Sequence, residues 1–137
     1  MPSITGRCYC GEVEYTIAAS PLFRAQCHCR PCQYFTGGHP QIAMGFPDAA
    51  FRYSKGKAAA YARPDLEHAV RRDFCSRCGV HLAARSPALP DTVLVRPGTL
   101  DDPSLCGRPE VVVFTSEMQS FHQLPEGVPA HERLPTG

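Results

Sequence analysis

Apolar and polar residues alternate in several short stretches of the chain. This period-two alternation is typical of half-buried β-strands, whose successive side chains point to opposite faces. Turn signals rich in Gly, Pro, Asp and Ser separate the stretches. Strands this short and this closely spaced predict an all-β, mainly antiparallel fold. The positions that carry the pattern are Val13, Tyr15 and Ile17; Ile42, Met44 and Phe46; Val93 and Val95; and the continuous apolar run 111–114.

Helices are expected to be few. Only residues 30–36 and 58–69 favour a helix, and Pro31 and Pro64 limit each segment to a turn or two. We find no internal repeat, low-complexity segment or shift in composition that would mark a linker. With 137 residues, the chain is predicted to form a single domain over residues 1–137.

Charge and hydropathy narrow the classes of partner. There are 14 Lys and Arg against 13 Asp and Glu, a net charge of +1, which argues against general binding to nucleic acid or to anionic membranes. No apolar run is long enough to span a bilayer, and residues 1–7 lack the apolar core of a signal peptide. We therefore expect a cytoplasmic protein. Its oligomeric state does not follow from the sequence.

The expected location decides how the eight cysteines are interpreted. A reducing compartment keeps thiols free, so closely spaced cysteines are better explained as metal ligands than as an extracellular disulfide framework. Two cysteines separated by one or two residues already place their sulfurs near a common point. Seven of the eight form three such clusters: Cys8 and Cys10; Cys27, Cys29 and Cys32; Cys75 and Cys78.

Two clusters end in a glycine. Residues 75–79 read Cys-Ser-Arg-Cys-Gly and resemble a zinc knuckle, in which the glycine lets the backbone fold back so that its amides point at the sulfurs. Residues 8–11 read Cys-Tyr-Cys-Gly. Together they predict a closed four-thiolate zinc site that has a structural role, because four thiolates leave no open position. The predicted ligands are Cys8, Cys10, Cys75 and Cys78.

The middle cluster supplies three thiolates, and its fourth ligand is open. Three protein ligands with an exchangeable fourth are typical of catalytic zinc. Alternatively, His39, His81 or Cys106 closes the site and makes the second metal structural. A redox thiol pair is a further alternative, although no βαβ pattern surrounds these cysteines. Spacing alone does not choose between the first two.

The motifs and their order resemble those of the GFA family, which is named for the glutathione-dependent formaldehyde-activating enzyme. The resemblance covers nearly the whole chain and includes all seven clustered cysteines. It is carried by Gly6-x-Cys8-x-Cys10-Gly11-x-Val13-x-Tyr15, Cys27-His28-Cys29-x-x-Cys32-Gln33, Phe74-Cys75-x-x-Cys78-Gly79 and Gly98-Thr99-Leu100-Asp101-Asp102-Pro103.

This resemblance implies a tent-like, Mss4-like β fold with two zinc sites. It assigns the structural zinc to the four knuckle cysteines and the active-site zinc to Cys27, Cys29 and Cys32. It also implies carbon–sulfur lyase chemistry, in which the bond between a thiol such as glutathione and a one-carbon aldehyde is made or broken. Zinc suits this chemistry because it lowers the pKa of a bound thiol. The expected partner is a small-molecule thiol or thiol adduct.

Histidines near the clusters are candidates for moving the hydroxyl proton in such a reaction. His39 and His81 are nearest by sequence, whereas His28 lies between two ligands on an extended segment and should point away from the metal. Phe121-His122 stands where the family commonly has tryptophan, and the chain lacks the insertions of the named enzymes. The competing hypothesis is a non-catalytic zinc module that binds a protein or nucleic acid.

Overall fold

The structure is a computed structural model, and it describes residues 3–135. Within that range it contains ten strands, one α-helix and short 3-10 turns. The strands are β1 Ile4–Arg7, β2 Glu14–Ile17, β3 Phe23–Cys27, β4 Gln41–Pro47, β5 Phe51–Lys55, β6 Ala59–Tyr61, β7 Arg71–Phe74, β8 His81–Arg85, β9 Thr92–Val95 and β10 Val111–Val113. The helix is α1 Arg30–Thr36. The predicted mainly antiparallel, all-β class is confirmed.

The chain forms two units. The first runs to Leu22 and then covers Met44–Leu105. Here β1, β2 and β5 form one antiparallel sheet, with Tyr15 opposite Gly6 on one side and Tyr53 on the other. A second antiparallel layer follows the order β4, β9, β8, β7, β6.

The core of this first unit matches the alternation in the sequence. Val13, Tyr15 and Ile17 are all buried, and so are Val93 and Val95. Strand β4 differs, because consecutive residues from Met44 to Phe46 are buried and Ile42 is only half-buried. A strand covered on both faces does not alternate, which is why the pattern there was only partly informative.

The second unit comprises Phe23–Ala43 and the chain from Cys106 onward. Its strands β3 and β10 pair in parallel, with Val112 opposite Gln26. The helix α1 follows β3 after a short link and ends at Thr36, where the C-cap residue Gly37 adopts a left-handed conformation. This unit contains the whole Cys27–Cys32 segment.

One of the two expected helical segments is wrong. Residues 30–36 do form α1, but residues 58–69 contain the strand β6 followed by turns. Strand β6 pairs with β7, so its backbone groups are satisfied by a neighbouring strand and a helix is not needed. In residues 3–135 no helix is both long and apolar enough to cross a membrane.

Candidate metal centres

The first unit contains a closed cluster of four sulfurs. The Sγ atoms of Cys8, Cys10, Cys75 and Cys78 all lie within 4.8 Å of one another. The Cys8–Cys10 and Cys10–Cys75 distances are both 3.7 Å. Zinc bound at 2.3 Å by tetrahedral thiolates requires sulfurs about 3.8 Å apart. The four side chains therefore fit a zinc ion.

Two matching turns build this cluster. Gly11 and Gly79 both have a φ of 79°, in the left-handed region that glycine adopts at little cost. The Gly11 amide donates to the Cys8 carbonyl and the Gly79 amide to the Cys75 carbonyl. The Val13 amide then donates to the Cys8 sulfur at 3.4 Å. The expected return of the backbone towards the sulfurs is thus present.

Local dipoles favour negative charge on part of this cluster. The Cys10 amide, followed by the Val80 amide and neighbouring thiols, lowers the pKa of Cys78 to about 6. At Cys10 the Glu12 amide favours the thiolate, but desolvation and the other three sulfurs outweigh it and raise the pKa of Cys10 to about 11. Four crowded thiols cannot all ionise alone, and a divalent cation is the natural counter-charge.

The second unit contains a cluster of three sulfurs on one short segment. Cys27 ends β3, Cys29 is the N-cap of α1, and Cys32 lies in the first turn of that helix. Their Sγ atoms lie within 4.8 Å of one another, and all three residues are half-buried. The Cys32 amide donates to the Cys29 sulfur at 3.4 Å. The strand end and the helix cap together gather the three thiols.

The crowding of these three thiols also fits a divalent cation. They cannot all ionise alone, and the cation would supply the counter-charge. The hydrogen bond with Cys29, together with burial, raises the pKa of Cys27 to about 12 despite a lowering contribution from Cys32. Hydrogen bonds with Cys27 and Cys29 and burial raise the pKa of Cys32 as well. The Cys29–Cys32 sulfur distance is 2.9 Å, so a zinc ion would have to separate these two sulfurs towards about 3.8 Å.

Within residues 3–135, no histidine, cysteine or carboxylate supplies a fourth ligand atom to this cluster. His39 donates through Nδ1 to the Pro40 carbonyl at 2.5 Å. His81 stacks on Phe74 in the first unit. Cys106 is a buried free thiol, and burial raises its pKa. None of these three proposed fourth ligands joins the three sulfurs, which favours an open position.

His28 points away from the cluster, as expected from its place between Cys27 and Cys29. Its ring is fully buried, and burial, followed by the proximity of His122 and His39, lowers its pKa. Its Nδ1 lies 3.0 Å from His122 Nδ1, and its Nε2 lies 3.0 Å from Gln26 Nε2. The ring therefore belongs to a buried polar network.

The partners fix both tautomers in this network. His122 Nδ1 accepts the Gln119 amide proton, so the His122 proton is on Nε2, which donates to the Gly38 carbonyl at 2.7 Å. Gln26 Nε2 can only donate, so His28 accepts at Nε2 and carries its proton on Nδ1, which shares the lone pair of His122 Nδ1 with the Gln119 amide. The second Gln26 hydrogen donates to the Gln123 carbonyl. All four ring nitrogens of the two histidines are engaged, so neither ring is free to carry a proton to substrate.

A cavity of about 230 Å³ adjoins this network. Strand alternation places the side chains of Gln26 and His28 on one face of β3 and Cys27 on the other. The cavity is thus on the side of β3 away from the Cys27 sulfur. Its lining residues are Gln26, His39, Pro40, Phe121, His122 and Gln123.

The fold and the two thiol clusters define a small β protein with two candidate metal centres. The family model described as "Glutathione-dependent formaldehyde-activating enzyme" matches residues 3–117, and the chain belongs to this GFA family. The fold is also similar to the crystal structure of a Rhodobacter sphaeroides protein, with a TM-score of 0.62 and 21% sequence identity. That match covers 77% of this chain and 96% of the other.

Sequence reasoning missed the polar residues around the three-thiol segment. The sequence shows Gln33 only as part of a motif, and His122 only at a position where the family commonly has tryptophan. Gln26, Glu117 and Gln119 carried no signal. Their contacts join segments more than 80 residues apart, and no local pattern reports such pairings.

Proposed function

We propose that this protein is a zinc-dependent enzyme of the carbon–sulfur lyase type, which forms or cleaves an adduct between a thiol and an aldehyde. The catalytic centre is the segment with Cys27, Cys29 and Cys32. The observation that carries the proposal is the three-sulfur cluster without a fourth ligand atom among the described residues. Membership of the GFA family supports the choice of glutathione and formaldehyde as the first pair to test.

The reaction joins the sulfur of the thiol to the carbonyl carbon of the aldehyde. The thiol proton ends on the aldehyde oxygen, and the reverse reaction breaks the same carbon–sulfur bond. Zinc held by the three cysteines would supply positive charge that lowers the pKa of an incoming thiol. In this proposal Cys8, Cys10, Cys75 and Cys78 hold a second, purely structural zinc.

The protein's own residues divide the remaining tasks. The cap of α1 orients Cys29 and Cys32 towards each other. His28 is excluded from proton transfer because both ring nitrogens are engaged. His39 lines the cavity on the side of β3 away from the Cys27 sulfur, so it is not assigned a role in proton transfer at this centre.

Metal content and turnover test the proposal together. Freshly purified protein should hold two zinc ions. It should also accelerate the interconversion of the adduct and its two components, glutathione and ¹³C-formaldehyde, which NMR measures. Cys29→Ser should retain the fold and one zinc ion but lose the acceleration. Cys106→Ala changes a buried cysteine outside both clusters and should keep both properties.

Two results would contradict the proposal. A wild-type protein with a single zinc ion would remove the second centre. Exchange no faster than in buffer would exclude this substrate pair, and failure with other small thiols and aldehydes would then favour the alternative of a non-catalytic zinc module.

A further inference from the structure

Gln33 occupies a special position beside the three-thiol segment. It directly follows the ligand Cys32 in α1, and only 3% of its surface is exposed. A buried primary amide is costly unless its polar groups are satisfied. Every hydrogen-bonding position of this amide has a partner. Two partners are residues 28 and 30, within the three-thiol segment, and two are residues 117 and 119.

The two amide hydrogens donate to backbone carbonyls. Gln33 Nε2 lies 2.8 Å from the His28 carbonyl oxygen and 2.9 Å from the Glu117 carbonyl oxygen. The Gln33 oxygen accepts from Arg30 Nη1 at 2.5 Å and from Gln119 Nε2 at 3.2 Å. Rotating the amide by 180° would place its oxygen against two carbonyl oxygens. The orientation is therefore fixed by its surroundings.

The His28 carbonyl is the important acceptor, because His28 separates Cys27 from Cys29. The same residue donates its backbone amide to the Val113 carbonyl at 3.1 Å, and its ring is held by His122 and Gln26. Fixing this residue fixes the directions of the Cα–Cβ bonds of the two cysteines beside it. The hydrogen bond from Gln33 to the His28 carbonyl is the third constraint on His28, and it connects His28 to Cys32, the residue before Gln33.

The turn that contains Glu117 is held from two directions. Its carbonyl accepts from Gln33, and its carboxylate accepts the Arg30 amide at 2.9 Å. One amide therefore connects the first two thiols, the third thiol and a turn 84 residues further along the chain. Local chain geometry alone would leave the strand end and the helix free to shift.

We propose that Gln33 is a positioning residue that holds the three sulfurs of Cys27, Cys29 and Cys32 in the arrangement that binds a metal ion. This inference rests on the proposed function, because it assumes that the cluster binds the metal. Gln33 touches neither metal nor substrate in this role. Residues that orient metal ligands typically change affinity by about 10- to 100-fold when they are replaced.

The test compares the two metal centres within one molecule. Zinc release to a chromogenic chelator is followed in wild type and in Gln33→Met, which keeps the length of the side chain but makes none of the four hydrogen bonds. We expect release from the three-thiolate centre to be about 10- to 100-fold faster, with release from the four-thiolate centre unchanged. In cobalt-loaded protein the bands of the three-thiolate centre should shift, while those of the other centre stay.

Gln119→Ala is the matched control. It removes one hydrogen bond to the Gln33 oxygen and leaves both bonds to the backbone carbonyls, so zinc release should stay within about twofold of wild type. If Gln33→Met does not fold, Gln33→Glu replaces it: the carboxylate keeps the acceptor for Arg30 but loses both donors, and the same selective acceleration is expected.

Three results would overturn the inference. Release from the three-thiolate centre at the wild-type rate would show that Gln33 does not position the sulfurs. Equal acceleration at both centres would indicate general destabilisation instead. A wild-type protein that binds only one metal ion would reject the proposed function as well, whereas two ions with unchanged release in Gln33→Met would reject only the role of Gln33.

Discussion

Every polar group of His28 has a defined partner. Its backbone amide and ring Nδ1 donate hydrogen bonds, and its carbonyl and ring Nε2 accept them. A buried network that is fully satisfied favours one arrangement of its members, because any alternative leaves a buried group unpaired. At the residue scale, this is how a histidine between two cysteines is kept from the metal centre.

The tautomers of this network are directly measurable. We expect His28 as the Nδ1–H form, because Gln26 Nε2 donates to His28 Nε2, and His122 as the Nε2–H form, because the Gln119 amide donates to His122 Nδ1. Long-range ¹H–¹⁵N NMR spectra of the ¹⁵N-labelled protein distinguish the two forms. His68, which is exposed, serves as the reference for an unconstrained ring. The opposite assignment, or averaged signals at His28 and His122, would contradict the network.

The elements that build the two centres differ in kind. The closed cluster is made by two tight turns with the same glycine conformation. The three-thiol segment is made by a strand end and a helix cap. A turn that requires a left-handed residue depends on glycine, since other residues lose about 1–2 kcal/mol there. The turns should therefore be more sensitive to substitution than their exposure suggests.

Substitution of Gly79 tests this dependence. A Cβ atom at Gly79 meets no neighbour within 4 Å, so the cost of Gly79→Ala comes from φ alone. We expect the free energy of unfolding, measured in urea, to fall by about 1–2 kcal/mol. Gly98→Ala is the control, because that glycine also has open space but no left-handed φ. Equal effects of the two changes would show that the turn does not set the cost.

At the scale of the whole molecule, the two centres join very different lengths of chain. The four-thiol cluster connects Cys8 and Cys10 to residues more than 60 positions later, whereas the three thiols lie within a single six-residue segment, 27–32. Closing a long loop orders much more of the chain than closing a short one. Loss of metal should therefore affect folding at the first centre far more than at the second.

Stepwise chelation checks this difference. A moderate excess of chelator should remove one zinc ion while the far-UV and near-UV circular dichroism spectra stay unchanged. A stronger chelator should remove the second ion together with the near-UV signal, because metal binding there is coupled to folding. Cys10→Ser should lose the near-UV signal without any chelator. Release of both ions in one step, with the spectra unchanged, would contradict the assignment of a structural centre.

The sequence by itself determined the features that depend on neighbouring residues. Alternation identified Val13, Tyr15 and Ile17 as core positions, and the spacing of cysteines and glycines identified both clusters, because strands and tight turns impose short periods. Strand β4 is buried on both faces and therefore does not alternate. Residues 58–69 were expected to be helical but contain β6, which pairs with β7.

Only the tertiary structure decided the surroundings of the three thiols. The Gln33–Glu117 and His28–His122 hydrogen bonds join residues 84 and 94 positions apart, and a glutamine or histidine has the same local preferences whether or not such a partner exists. Pairing of this kind depends on how the chain returns in space, so folding alone selects which polar side chains surround a metal centre.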